Sequence, residues 1–336
     1  MRSLLAIFLI LFFSASAIAQ LAFPIPRAVD VTGYFGEFRG TSRELSYSGH
    51  FHTGIDVSTG GRIGVELIAP EQGYISSIII NHPLYGVALV LALPDIENII
   101  TNEKGVKLLF AHLDSVGDFS TQTGRRVGDI YRSLLQAFPQ EYVEAEFDPR
   151  EFPVSRGDII GRTGDTGDVP PHLHMEVRDM GSELYINPGY YFDLGNPESE
   201  VQILEIRAGG RAYRLDAGAN PLIEVTEGTS LSVRTHVRLR HNVSPRRIDL
   251  FIGDLLVYQI DFSHFTEDER YMVDNVYVNS TETIYWFLLK TQNEDNIITV
   301  NRWDSVDLSE VQQARIVVRD HWGNSTERTF RILLQR

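Results

Sequence analysis

Short runs of β-branched and aromatic residues, separated by glycine, proline or asparagine, extend along most of this chain. Between residues 60 and 114 they read "LIAPEQGYISSIII", "YGVALVLAL" and "VKLLFAHLD", and "HLHMEVRD" follows a Gly/Asp turn region. Runs of this length and composition predict strands joined by tight turns. The sequence therefore predicts a mainly β fold.

The chain divides into two parts near a stretch rich in Pro, Gly and Asn, "NPGYYFDLGNPESE" at 187–200. Strand-like runs continue after it, from "VQILEIRAG" to "RTFRILLQR", with turn signals at short intervals. This pattern is typical of an antiparallel β-sandwich, which we predict over 200–336. A length of 336 residues agrees with about two domains.

One segment has helical character. In "DIYRSLLQAFPQEYVEAEF", the apolar residues Ile130, Leu134 and Leu135 recur at helical spacing before Pro139. Proline removes a backbone donor and cannot continue a helix, so we predict a helix that ends just before it.

The N-terminus has the pattern of an export signal. One arginine precedes an apolar run from Leu4 to Phe13, and Ala17-Ile18-Ala19 fits a small-x-small cleavage site. We predict a signal peptide over 1–19 and a mature chain from Gln20, placed in the periplasm or at the cell wall outside the cell. The apolar run is too short for a stable membrane span of about 20 residues, and no later stretch is long enough, so no transmembrane anchor is expected.

Charge and cysteine content exclude some function classes. The formal net charge is -15, whereas a nucleic-acid-binding protein needs a basic patch, so no nucleic-acid partner is expected. The chain has no cysteine, so it has neither a disulfide framework nor a lipid-attachment cysteine after the signal.

Two short segments hold four of the ten histidines: "HFHTGIDV" at 50–57 and "PPHLHMEV" at 170–177. Residues two apart on a strand share a face, so the imidazoles of His172 and His174 project into one space. His52 and Asp56, four apart, also share a face on an extended segment.

Two histidines and a carboxylate form a known zinc set that leaves a fourth position for water. A further pair of imidazoles would then serve in proton transfer, and His112 in "FAHLD" is an additional candidate. The alternative is that each is an ordinary hydrogen-bonded or exposed histidine. Spacing alone leaves both interpretations open.

The segments "HTGID", "AHL", "GDIIGRTGDTG" and "HLHME", in this order, resemble zinc metallopeptidases of the lysostaphin and LytM type, peptidase family M23. "INP" at 186–188 also resembles the end of that domain. The resemblance covers about residues 30–192. Each motif is weak alone, and the ordered set is specific.

The resemblance implies that His52, Asp56 and His174 bind one Zn²⁺ and that His112 and His172 are unliganded catalytic histidines. It implies a LytM-like antiparallel β-sheet catalytic domain over 20–195. The implied activity is an exported zinc endopeptidase that hydrolyses peptide bonds in peptidoglycan stems or cross-links. Two alternatives stay open: a catalytically silent activator of another wall hydrolase, and a zinc peptidase that acts on non-wall peptides.

The chain departs from the family pattern at several places. Phe110 stands where the family usually has tyrosine, Pro170-Pro171 replaces Gly-Pro, and Met175 replaces phenylalanine. An insertion at about 118–152 lengthens the segment after His112. We interpret it as a wall or lid of the groove, because long insertions in compact domains are often functional.

Other polar residues receive structural interpretations. We expect His50 to be a surface histidine, His82 to lie in a loop, and Glu176 to be a structural residue on the face opposite His174. The remaining histidines show no ligand spacing and are expected to be ordinary: His236, His241, His264 and His321.

The C-terminal region ends in "VVRDHWGNSTERTFRILL". Its turn and final strand resemble the last hairpin of immunoglobulin-like domains in bacterial surface proteins. This implies an immunoglobulin-like β-sandwich that binds the wall, binds a protein partner or shields the groove.

Overall fold

The structure, a computed structural model, confirms that the protein is mainly β. It describes residues 20–25, 30–40, 49–117, 120–181, 183–226, 228–290, 295–307 and 309–335. Strands account for 48% of the described residues, and this part of the chain contains one α-helix. No helix within these ranges is long and apolar enough to cross a membrane. The predicted signal peptide at 1–19 lies outside the described residues.

The first half contains fourteen strands and a helix in the ranges that the structure describes. They are β1 (Val31–Gly33), β2 (Phe38–Arg39), β3 (His50–Phe51), β4 (Ile55–Ser58), β5 (Glu66–Ile68), β6 (Gly73–His82), β7 (Gly86–Glu97), β8 (Lys104–Ala111), β9 (Leu113–Val116), α1 (Gln122–Ala137), β10 (Val143–Glu146), β11 (Pro153–Val154), β12 (Ile159–Thr163), β13 (His172–Asp179) and β14 (Leu184–Ile186).

An antiparallel sheet in the order β1-β4-β13-β8-β7-β6-β10 forms the frame of this half, and a smaller sheet has the order β5-β12-β9. The large sheet has two different faces. Residues such as Val57, Phe110 and Met175 are fully buried in the main core on one face. The other face carries a small apolar cluster that includes Val90 and Leu109, and the polar residues of the candidate site.

The insertion folds as a helix followed by an edge strand. α1 begins after Thr121, whose Oγ1 accepts a hydrogen bond from Gly124 N at 2.8 Å, and it ends at Ala137, as Pro139 predicts. β10 then pairs with β6 at the edge of the large sheet. The interpretation of this insertion as a lid or wall remains a prediction.

The second half contains twelve further strands in the described ranges. They are β15 (Glu200–Ala208), β16 (Arg211–Arg214), β17 (Leu222–Thr226), β18 (Leu231–Arg238), β19 (Asn242–Val243), β20 (Arg247–Ile252), β21 (Leu255–Asp261), β22 (His264–Thr266), β23 (Trp286–Leu288), β24 (Ile298–Asn301), β25 (Gln312–Arg319) and β26 (Ser325–Gln335).

Most of these strands form two sheets, one built around β15 and β18 and the other in the order β17-β26-β25-β20-β21-β24. Apart from one pairing, the ladders are antiparallel, as predicted. β17 lies parallel to β26, so the expectation of a wholly antiparallel region was wrong there. The two strands lie far apart in the chain, and a parallel pair is joined by a long connection and not by a tight hairpin.

The two halves share a sheet and an apolar core. β22 of the second half pairs with β14 of the first, which in turn pairs with β13. Phe265 on β22 packs against Phe35 and Phe51, with ring centroids 4.7 and 5.5 Å apart. The strand that carries two of the predicted site histidines is thereby connected to the second half.

Candidate metal centre

Asp56 and His174 are placed by the pairing of two strands. In the antiparallel ladder between β4 and β13 they are direct partners, so their side chains rise from the same face of the sheet. His172 is two residues before His174 and shares that face, as predicted.

His52 reaches the same point from the segment between β3 and β4. This requires the main chain at Gly54 to pass very close to β13. A Cβ on Gly54 would lie 2.2 Å from the carbonyl oxygen of Met175. The glycine in "HTGID" is therefore needed for packing between the two segments that carry the candidate ligands.

One donor atom from each of His52, Asp56 and His174 meets the other two. His52 Nε2 lies 3.1 Å from Asp56 Oδ1 and 3.1 Å from His174 Nδ1, and the last two atoms are 3.0 Å apart. The two histidines are buried and Asp56 is half-buried. In a tetrahedral zinc site with bonds of about 2.0–2.1 Å, ligand atoms lie roughly 3.3 Å apart.

The far nitrogen of His52 is held by the main chain. His52 Nδ1 lies 2.9 Å from the carbonyl oxygen of Tyr34, so the ring donates there and presents the lone pair of Nε2 to the centre. Arg39 Nη2 lies 3.0 Å from the same Nδ1, but it already donates to Asp56 Oδ2 at 2.7 Å. Arg39 thus holds the outer oxygen of Asp56 and leaves Oδ1 facing the histidines.

The far nitrogen of His174 is held by Glu176. His174 Nε2 donates to Glu176 Oε1 at 3.0 Å, which leaves the Nδ1 lone pair facing the centre. The expectation that Glu176 lies on the opposite face was wrong. Residues two apart on β13 share a face, so Glu176 lies beside His174 and accepts the hydrogen bond from its Nε2.

Glu176 is a fully buried carboxylate with a complete set of donors. Besides His174, it accepts hydrogen bonds from Thr53 Oγ1 at 2.5 Å, Tyr85 Oη at 2.9 Å and Arg178 Nε at 2.6 Å. Burial raises its pKa, but Arg178 and His174 outweigh burial and hold the pKa well below its ordinary value. Glu176 therefore stays charged and fixes the His174 ring.

The donor set fits a metal cation. Both ring N–H groups point outward, so two imidazole lone pairs and a carboxylate oxygen converge on one space, where they repel one another unless a positive charge lies between them. The pKa of His174 supports this. Burial lowers it, but the bonds to Asp56 and Glu176 prevail and raise it to about 9. In the metal-free protein a proton therefore supplies the positive charge.

His112 lies beside the three-residue group in a strained turn. It separates β8 from β9 with φ +60°, a conformation that non-glycine residues rarely adopt. Its Nδ1 donates to the carbonyl oxygen of Thr166 at 2.8 Å, which directs Nε2 away from the main chain. Burial and the neighbouring His174 lower the pKa of His112 to about 3, so the ring is neutral at pH 7.

The ring of His172 is also held by a main-chain carbonyl group. Its Nδ1 donates to the carbonyl oxygen of Pro170 at 2.7 Å, and its Nε2 lies 3.5 Å from Asp56 Oδ1. The His112 and His172 rings are 4.6 Å apart. The structure thus brings together all five predicted site residues, three with converging donor atoms and two beside them.

Two of the departures from the family pattern lie away from these five side chains. Phe110 and Met175 are fully buried in the main core, on the face of the sheet opposite the histidines. A hydroxyl group at position 110 would therefore lie in an apolar core.

The other histidines have structural surroundings. The expectation that His50 is a surface residue was wrong, because it is buried on β3, 6.4 Å from the Tyr271 ring. His82 was expected in a loop, but it is the last residue of β6, and its Nδ1 accepts hydrogen bonds from the main-chain nitrogens of Leu84 and Tyr85, each at 3.1 Å. His236 and His321 are bonded to Gln202 Oε1 and to the carbonyl oxygen of Ser244.

A groove of about 680 Å³ lies on the polar face of the sheet, next to the residues that bond Glu176, and none of the five predicted site residues lines it. Tyr85 and Arg178 line its end near Glu176, Tyr142 and Glu144 from the insertion line another part, and Arg270 comes from the second half. Sequence reasoning missed Arg39, Glu176 and Arg178 as supports of the centre. The i, i+2 series from His172 to Arg178 was the available signal for two of them.

Comparison of the chain with protein-family models and with curated protein sequences finds no match. The geometry of the site and the order of its motifs therefore carry the functional argument. On that geometry, His52, Asp56 and His174 form a group that is able to bind a metal ion.

Proposed function

We propose that this protein is an exported zinc-dependent endopeptidase that hydrolyses peptide bonds in peptidoglycan stems or cross-links. The observation that carries the proposal is the convergence of three metal-binding donor atoms, 3.0 to 3.1 Å apart, beside two further histidines.

Zinc is the preferred ion because two imidazoles and one carboxylate are a known catalytic zinc set with an open position. When bound there, it would supply an activated water and polarise a peptide carbonyl. His52 and His174 would hold the ion through Nε2 and Nδ1, and Asp56 through Oδ1.

His112 and His172 would carry the proton transfers. Each donates Nδ1–H to a main-chain carbonyl, so each offers an Nε2 lone pair towards the site. The low pKa of His112 keeps this nitrogen free to accept a proton at neutral pH. A histidine that has taken up a proton would then stabilise negative charge on the carbonyl oxygen or protonate the leaving amine.

The choice of peptidoglycan rests on the sequence. The motifs resemble those of wall peptidases, and the N-terminal pattern predicts export to the compartment where peptidoglycan lies.

The first experiment measures zinc content and release of muropeptides from purified sacculi, for the mature chain and for His174→Ala. We expect about one zinc per chain, soluble muropeptides, and loss of both in the variant. Hydrolysis of a protein substrate but not of sacculi would favour a peptidase for non-wall peptides. Zinc-free, inactive protein that stimulates another wall hydrolase would favour the activator interpretation and contradict the proposal.

A further inference from the structure

The second half of the chain contributes to the groove beside the candidate centre. Its β22 extends the sheet that carries His174, and the turn after β22 brings Glu267 and Arg270 to the lining of the groove. Tyr271 and Met272, which follow, are exposed large apolar side chains. The groove is therefore built from both halves.

Arg270 is a buried cation with few partners. It is 5% exposed, and its Nη1 donates a long hydrogen bond to Glu267 Oε1 at 3.4 Å. Its Nε has no hydrogen-bond partner among the residues that the structure describes. A guanidinium group has five N–H donors, so most of the donors of Arg270 remain for a ligand.

The carboxylate of Glu267 is shared. Its Oε2 accepts a short hydrogen bond from Tyr185 Oη, and its side chain is 32% exposed. Arg178 lies over the Tyr185 ring at 4.9 Å and is itself bound to Glu176. Arg178 is therefore neutralised by a short ion pair. Arg270 instead has a long bond to a carboxylate that another residue also uses, and its Cζ lies 5.4 Å from the centroid of the Tyr271 ring.

A buried charge without a close partner is costly, and buried polar groups are nearly always hydrogen-bonded. Arginine favours carboxylates because its planar donors match the two oxygens. Arg270 lines the groove, and the contacts through Glu267, Tyr185 and Arg178 connect it to Glu176, the carboxylate that holds His174.

We propose that Arg270 binds a free carboxylate of the peptide substrate in this groove, so that the second half of the chain supplies a specificity residue to the site in the first half. This inference rests on the proposed peptidase function. It also gives the C-terminal region a role in substrate selection.

The test uses binding to the full mature chain with its metal removed by chelation, so that no carboxylate binds through zinc. The probes are the stem tetrapeptide L-alanyl-γ-D-glutamyl-meso-diaminopimelyl-D-alanine and the same peptide with its carboxylates amidated. Calorimetry gives the ratio of the two dissociation constants for the wild type and for Arg270→Met, Arg270→Lys and Glu267→Gln.

We expect the wild type to bind the acid peptide at least about tenfold more tightly than the amide, as an arginine–carboxylate pair allows. Arg270→Met should reduce the ratio to near one, and Arg270→Lys should restore part of it. Glu267→Gln should increase the ratio several-fold, because it removes the competing internal carboxylate, and this variant carries the test if Arg270→Met does not fold.

Equal binding of the two peptides by the wild type, or a ratio unchanged in folded Arg270→Met, would overturn the inference. Absence of measurable binding at millimolar peptide would also count against it. If the wild type hydrolyses sacculi but Arg270→Met leaves the ratio of dissociation constants unchanged, the role of Arg270 is rejected and the proposed peptidase function stands. An Arg270-dependent ratio without hydrolysis would reject the proposed peptidase and keep the carboxylate site.

Discussion

Asp56 and His174 are direct partners across β4 and β13, with Asp56 Oδ1 3.0 Å from His174 Nδ1. Two of the three candidate ligands are thus fixed by the register of a central strand pair. Sites built on strands are held more closely than sites on loops. Metal binding at this position should therefore depend sharply on the identity of each side chain.

Asp56→Asn tests the ligand set. Asparagine keeps the shape but removes the charge that offsets the cation and the acceptor for Arg39. We expect zinc affinity to fall by more than the roughly 10–100-fold typical of losing a supporting residue. Competition with a chromogenic chelator measures it. Asp129→Asn, on the exposed face of α1, is the matched control, and equal affinity in both variants would contradict the ligand role.

Glu176→Gln tests the support of His174. The amide keeps an acceptor for Nε2–H but loses the negative charge, so His174 becomes a weaker ligand and Arg178 loses its ion pair. We expect zinc affinity to fall roughly 10–100-fold. The same chelator titration checks this, with the unfolding midpoint as a control for folding. Unchanged affinity would show that Glu176 acts only in packing.

Gly86→Ala tests the position of His112. Gly86 has φ +62°, and a Cβ there would lie 2.4 Å from the carbonyl carbon of Thr166, whose oxygen holds His112 Nδ1. We expect kcat on sacculi to fall about tenfold to a hundredfold, as for a displaced catalytic group, while zinc content stays at the wild-type value. Gly210→Ala, where a Cβ meets nothing within 4 Å, is the control. Activity equal to that control would contradict the proposed role of His112.

His321→Asn tests the dependence of stability on pH. His321 stacks on Tyr34, and burial lowers its pKa to about 4. Below pH 6.5 the imidazole of His321 binds a proton in the unfolded chain but stays neutral in the folded chain. The free energy of unfolding therefore falls as the pH decreases from 6.5 towards 4. Urea unfolding at pH 7.5 and 5 should show the wild type losing up to about 2 kcal/mol more than the variant. Equal losses would indicate that His321 titrates normally.

The centre was predictable because its signals are local. His172 and His174 are two apart on a strand, and His52 and Asp56 lie within one short segment, so the residue types and spacing appear in the sequence itself. The helix before Pro139 was predictable for the same reason. The order of the motifs supplied what spacing alone left open, namely which histidines are the candidate ligands.

The supports of the centre were not predictable in the same way. Arg39 is aligned with Asp56 by tertiary packing, and nothing in the sequence near either residue marks the pair. The face of Glu176, in contrast, was predictable. Residues two apart on a strand share a face, so the sequence already places Glu176 on the same face as His174. His50 was expected at the surface because the burial of β3 depends on contacts with the second half.

Long-range pairing also accounts for the remaining differences. The boundary predicted at 187–200 lies where the strand runs break, yet β14 and β22 pair across it. The acidic "VEAE" of β10 has weak strand propensity and becomes a strand because β6 offers an open edge.

The pairing of β14 with β22 bears on how the chain responds to being cut. A protease that cleaves the segment between Tyr191 and Glu200 would break one covalent link but leave the shared ladder and the Phe265 contacts in place. The nicked fragments should stay together and separate only in denaturant. If the first half were produced alone, β14 would have an unpaired edge that invites self-association. Nicking and truncation therefore have different outcomes, and the second half is a poor candidate for exchange as an independent module.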